Sequence, residues 1–155
     1  MKKLILLAMF LLLVGCSSQD LALEDLKESY PDSFAKPVDS LSQRELADIG
    51  LPDELPFEVS NVEAEVEDEK VDVHYQSAGS EEVSVRTYFS PENILQESQL
   101  QVPLNSGAVA GVQEKEDYVF VEWYESEEDI VYQIKYSGGK KDKRTQQALE
   151  IANSI

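Results

Sequence analysis

Between Asn61 and Tyr136 the chain repeats one pattern, apolar residues at every second position broken by short acidic or glycine-containing stretches. Side chains of a strand point alternately to the two faces of a sheet, so such runs bury one face and wet the other. Val62, Ala64 and Val66 alternate with Asn61, Glu63, Glu65 and Glu67, and after Asp68-Glu69 the alternation resumes at Val71, Val73 and Tyr75. Further strands are read at Val83 to Phe89, more weakly at Ala108 to Gln113, and then at Tyr118 to Tyr124 and Ile130 to Tyr136. Ser90 to Gly107 carries no strand pattern and reads as a long connection.

The turns predict the register. If Glu67 pairs with Lys70, then Val66 faces Val71, Ala64 faces Val73 and Val62 faces Tyr75. If Tyr124 pairs with Asp129, then Trp123 faces Ile130, Val121 faces Tyr132 and Val119 faces Ile134. A one-residue slip would turn each set to the wrong face, so the pairings support a common apolar side. After Gly138-Gly139 and the basic run Lys140 to Arg144, Ala148, Ile151, Ala152 and Ile155 recur at helical spacing. The expected fold class is α+β: an antiparallel meander sheet of about six strands packed by a C-terminal helix, forming one domain over residues 55–155.

The N-terminal part reads differently. Lys2 and Lys3 precede an unbroken apolar run from Leu4 to Val14, too short for a bilayer span of about 20 residues and right for the core of a signal peptide. It ends in Leu13-Val14-Gly15-Cys16. This resembles the bacterial lipobox, which implies removal of residues 1–15 and a diacylglycerol thioether on Cys16. Two acyl chains hold a protein firmly, so the expected location is the extracytoplasmic face of the cell membrane. Cys16 is the single cysteine, which excludes a disulfide framework within the chain and a cysteine-based metal site. Residues 16–54, acidic and interrupted by Pro31, Pro37 and Pro52, read as a tether. Within it Ser42-Gln43-Arg44-Glu45 forms a capping-box pattern, and Leu41, Leu46 and Ile49 are placed to dock a short helix.

Thirteen basic residues stand against 31 acidic ones, a net charge of −18. Loss of Lys2 and Lys3 with the signal makes it 11 − 31 = −20. Nucleic acid is excluded as a partner because phosphate binding needs a basic face. Close contact with anionic lipid headgroups is disfavoured on net charge, and a basic partner is suited.

The second sheet face carries Tyr118, Phe120 and Tyr124 beside Gln133 and Lys135. Three aromatics on a nominally wet face are either covered, by the tether or by the Ser90–Gly107 connection, or form a groove for a ligand or partner. They are the candidate binding residues. In the connection, Ser90-Pro91 reads as a helix start, with Leu95, Leu100, Val102 and Leu104 as anchors.

Catalytic chemistry has little to work with. His74, the sole histidine, falls on the polar side of its strand between Asp72 and Gln76 and reads as a surface residue. No nucleophile, zinc or phosphate-cradling motif is present in the sequence. Glu63–Glu69 and Glu125–Asp129 lack the alternating spacing and central glycine of a calcium loop. No catalytic residue, metal site or cofactor is expected.

Four short motifs carry a further resemblance: Leu55-Pro56-Phe57, Val121-Glu122-Trp123, Tyr132-Gln133-Ile134 and the closing Ile151-Ala152-Asn153-Ser154-Ile155. With them the chain resembles an uncharacterised extracellular domain family found in lipoproteins and sigma-regulator-type membrane proteins of Bacillus-like bacteria. The resemblance implies a curved antiparallel sheet with a packed helix, distantly similar to lipoprotein-carrier folds, and no catalytic residues. Two functions are expected in consequence. One is a non-catalytic binding or accessory module for an envelope partner. The alternative is a carrier or sensor of a small amphiphilic ligand held between the sheet and the Ser90–Gly107 segment.

Overall fold

A computed structural model describes residues 19–91 and 94–155. The expected signal segment and Cys16 lie outside the described residues, as do Glu92 and Asn93 of the expected helix start. Among the described residues seven strands form: β1 (Val59–Glu67), β2 (Lys70–Ser77), β3 (Glu82–Phe89), β4 (Leu100–Pro103), β5 (Val109–Glu114), β6 (Tyr118–Glu125) and β7 (Ile130–Ser137). They form one antiparallel sheet in the order β1-β2-β3-β7-β6-β5-β4. Helices are α1 (Leu23–Ser29), α2 (Lys36–Val38), α3 (Gln43–Asp48) and α4 (Lys141–Ala152), with a π-type turn at Pro31–Ala35 leading into α2. The fold is α+β.

The count exceeds the expected six because β4 lies inside the connection read as strandless. Its four residues, Leu100-Gln101-Val102-Pro103, are too few to show alternation. As an edge strand it tolerates a proline, which has no donor for a further ladder. Two meanders, β1-β2-β3 and β4-β5-β6-β7, therefore meet where β3 pairs with β7.

The β1/β2 register is as read, with Val66 opposite Val71, Ala64 opposite Val73 and Val62 opposite Tyr75. The β6/β7 register differs by two residues: Glu125 pairs with Ile130, Trp123 with Tyr132, Val121 with Ile134 and Val119 with Tyr136. Asp129 is the cause. It adopts a left-handed backbone, φ 59°, and so closes the turn instead of extending the strand, a conformation aspartate accepts readily. A two-residue shift leaves each side chain on its expected face.

One face is apolar and buried across the sheet, from Val62, Val73 and Tyr75 through Val85 and Ile134 to Val121, Trp123 and Val112. Helix α4 lays Ala148, Ile151 and Ala152 into this core, while Ile155 lies past the helix end and is exposed. The stretch read as a tether differs most. Leu21, Leu26, Phe34, Val38 and Ile49 all enter the same core. Acidic composition and prolines mask these few apolar residues, yet α1, the π turn and α2 turn them to one side. Polar contacts hold the stretch down. The Gln19 amide pairs with both backbone groups of Val59, at 2.6 and 2.8 Å, and Ser33 Oγ donates to the Val62 carbonyl at 2.6 Å. These side chains blunt the free edge of β1. The capping box is present: Glu45 N–H donates to Ser42 Oγ, and Ser42 N–H donates to Glu45. Tyr132 donates its hydroxyl to the Asp48 carbonyl, and Gly50 N–H donates to Thr87 Oγ1, both at 2.9 Å. Among the described residues no helix is long and apolar enough to cross a membrane.

Two predictions follow from this packing. Phe34 is fully buried, so Phe34→Ala is expected to cost about 3–5 kcal/mol, read as a lowered urea midpoint; a tether residue would leave the midpoint unchanged. Burial also pushes the phenols of Tyr75, Tyr132 and Tyr136 upward, Tyr132 to about 12, with Glu81 adding to the effect at Tyr136. A neutral phenol favoured by the fold contributes stability below its unfolded value of about 10 and loses it as pH rises through the folded value. Absorbance titration at 295 nm should show these three ionising late, together with loss of near-ultraviolet circular dichroism.

Candidate functional site

The second face is built of rows that cross the sheet. The row nearest the β2–β3 turn holds Gln76, Glu82, Ser137 and Tyr118. The next holds His74, Ser84, Lys135, Phe120 and Gln113, and the third Asp72, Arg86, Gln133, Glu122 and Gly111. The fourth runs Lys70, Tyr88, Val131 and Tyr124.

Polar groups are buried along the third row. Asp72 is 4% exposed and accepts from Ser84 Oγ at 2.5 Å, from Arg86 Nε at 2.8 Å and from a second Arg86 nitrogen. Burial alone would lower the Arg86 pKa, but the hydrogen bonds and charge of Asp72, together with Tyr88, outweigh it and hold the guanidinium above its ordinary value. Glu122 is 2% exposed. It accepts from Gln133 Nε2 at 3.1 Å and from the backbone N–H of Gln96 at 2.5 Å. Gln96 belongs to the connection between β3 and β4, which crosses the face here as a strap. Gln113 Nε2 donates to the Glu97 carbonyl at 3.0 Å. Ser98 rests over Gly111, where a Cβ would meet the Ser98 side chain at 2.8 Å. A glycine in mid-strand marks such a close approach, and this was the available sequence signal for the strap.

The strap divides the three candidate aromatics. Tyr118 and Phe120 lie on one side of it, half-buried, in a groove of about 360 Å³ that they line with Ser84, Arg86, Lys115 and Lys135 among others. Lys135 Nζ stands 4.9 Å from the centre of the Tyr118 ring, within cation–π range. Tyr124 lies beyond the strap, 40% exposed. Its hydroxyl donates to Asp129 Oδ1 at 2.9 Å, which raises its pKa. It borders a different hollow, rimmed by Asp48, Glu125, Glu127 and Glu128. The structure thus joins Tyr118 and Phe120 and sets Tyr124 apart.

Sequence reading missed Arg86 and Lys115 as members of this groove. Its lining contains three cations, three glutamines, a serine, a tyrosine and a phenylalanine, with no carboxylate. That is a marked inversion in a chain of net charge −18. Among the described ion pairs Lys115 and Lys135 take no part, whereas Arg86 is committed to Asp72. The groove is therefore suited to an anionic group lying beside an apolar one.

Nearby, His74 Nε2 stands 3.4 Å from Asp72 Oδ1, and Ser84 donates to the same carboxylate oxygen. Serine and histidine both turn to the aspartate, so the imidazole does not take the hydroxyl proton as a serine–histidine relay requires. Among the described residues no group of three or more His, Cys, Asp or Glu is placed to hold a metal ion. No protein-family model, no curated protein and no solved structure matches the chain.

Replacing Glu122 by alanine would leave Gln133 Nε2 and Gln96 N–H without their acceptor. Glu122→Ala is expected to cost about 1–3 kcal/mol and to speed amide exchange from Gln96 to Gln99. Unchanged exchange there would show that the strap is held by something else.

Proposed function

We propose that this chain is a lipid-anchored, extracytoplasmic, non-catalytic binding module whose second sheet face receives an envelope partner. The anchor is the lipid on Cys16. The observation that carries the reading is the groove of Tyr118, Phe120, Lys115 and Lys135, cationic and aromatic on a molecule of net charge −18. The partner it fits is an extended acidic segment with an apolar or aromatic residue among its carboxylates. Charge complementarity of this kind speeds encounter and fixes register, and the two rings give the segment a desolvated seat.

The alternative, a carrier or sensor of a small amphiphile, finds less support. The apolar face of the sheet is filled by side chains from the helices, and the strap touches the other face directly at Gly111 and Glu122. A distant likeness to lipoprotein-carrier folds rests on the sequence resemblance alone.

The test is in-cell crosslinking of the full-length anchored protein, with mass spectrometry of what is captured. Lys115→Glu with Lys135→Glu, and separately Tyr118→Ser with Phe120→Ser, should abolish capture of a discrete acidic partner. The charge pair should shift stability by no more than about 0.5 kcal/mol, as exposed substitutions do. Capture that survives both double variants sinks the reading. Repeated recovery of a lipid in place of a protein favours the carrier.

A further inference from the structure

We infer that the end of the sheet beside Gln19 faces the headgroups of the bilayer and that the opposite, acidic end points away from it. The inference rests on lipidation of Cys16 and goes beyond it, because the point at which the anchor joins the fold decides the orientation.

Gln19 is clamped to Val59 through both ends of its side-chain amide. Only Ser17 and Ser18 separate it from Cys16, and three residues of extended chain reach about 11 Å at most. No long tether intervenes, since the acidic stretch after Gln19 is folded onto the sheet. Val59 opens β1, whose nine residues carry the strand about 27 Å to its other end. The lipid therefore attaches at one end of the strands and cannot reach the other.

The two ends differ in chemistry. At the Gln19 end the turns after β2, β5 and β7 form one platform. Gly138, at φ 87°, lets the backbone pass where a Cβ would stand 2.6 Å from the Ser80 carbonyl oxygen. Arg144 ties two of the turns, donating to Gly138 O at 2.8 Å and to Glu116 O at 3.1 Å. The platform, with the residues flanking Gln19 and Val59, holds five basic residues, Lys115, Lys140, Lys141, Lys143 and Arg144, against eight acidic ones, Asp20, Glu58, Glu81, Glu82, Glu114, Glu116, Asp117 and Asp142. All four lysines are exposed, while Glu81 and Glu82 each accept a hydroxyl, from Tyr136 and Ser137. The far turns carry seven carboxylates, Glu67, Asp68, Glu69, Glu125, Glu127, Glu128 and Asp129, against Lys70 alone. Net charge conceals this separation. An anionic bilayer repels the far end more strongly than the near one, where exposed lysines meet the headgroups. At that orientation the far turns lie outside the screening length of about 8–10 Å.

The test uses full-length lipidated protein in vesicles of phosphatidylglycerol and phosphatidylcholine doped with a nickel-chelating lipid. Lipidation consumes the Cys16 thiol, so a nitroxide can be placed singly at Ser80→Cys or Asp68→Cys. A second pair, Lys141→Cys and Glu127→Cys, guards against local disturbance at either site. Nickel lipid should strongly relax the labels at positions 80 and 141 and leave those at 68 and 127 nearly unaffected. Equal or reversed relaxation in protein that mass spectrometry shows to be lipidated overturns the orientation and leaves the anchored reading intact. Protein recovered with Cys16 unmodified overturns both.

Discussion

The apolar face of a seven-stranded sheet is about 29 Å wide, six spacings of about 4.8 Å, and it must be covered. Helix α4, with twelve residues, is about 18 Å long and about 10 Å across. It covers β6 and β7, where it makes its contacts, and leaves the β1 side bare. Val62, Val73 and Tyr75 on that side are nevertheless fully buried, because Leu26, Phe34 and Val38 from the N-terminal stretch complete the cover. An acidic segment with prolines is thereby drawn into the fold, and only Ser17 and Ser18 stand between Cys16 and the folded part.

The second face obeys a different constraint. The chain leaves β3 in the middle of the sheet and must begin β4 at its outer edge. The strap that makes this passage brings backbone donors and acceptors against the sheet, and each needs a partner. Glu122 and Gln113 supply them, so a carboxylate becomes buried without being orphaned. Tyr75 offers the contrast, since its buried hydroxyl has no partner among the described residues. The groove is the part of the second face between the strap and the Gln19 end that the strap leaves open. With the proposed anchor at that same end, a partner seated on Tyr118 and Lys115 would meet the module close to the membrane surface.

Legibility followed what each pattern encodes. Alternation encodes faces, and each strand it identified has the expected face inward. The β1/β2 register was readable because a two-residue turn, Asp68-Glu69, leaves one pairing. The longer turn at Glu125 to Asp129 does not fix one, and the left-handed backbone of Asp129 moved the pairing two residues from the register read at Tyr124–Asp129. β4 was too short to show a period. Tyr118 and Phe120 stood out as aromatics on a wet face, but Arg86 and Lys115 did not, because nothing in the strand of Arg86 or the turn of Lys115 distinguishes them from solvated charges.

The sequence by itself determined six of the seven strands, the inward side of each, the capping box at Ser42 and the terminal helix, since these depend on residues within a few positions of one another. Only the tertiary structure decided the strand order. That order sets β3 beside β7, although β4, β5 and β6 intervene in the chain, and so beside the β5-β6-β7 meander, gathering Arg86, Lys135, Phe120 and Lys115 around one groove. It also decided that Gln19 would meet Val59, 40 residues away. Such contacts are settled by which surfaces must be buried together, and local pattern carries no information about that.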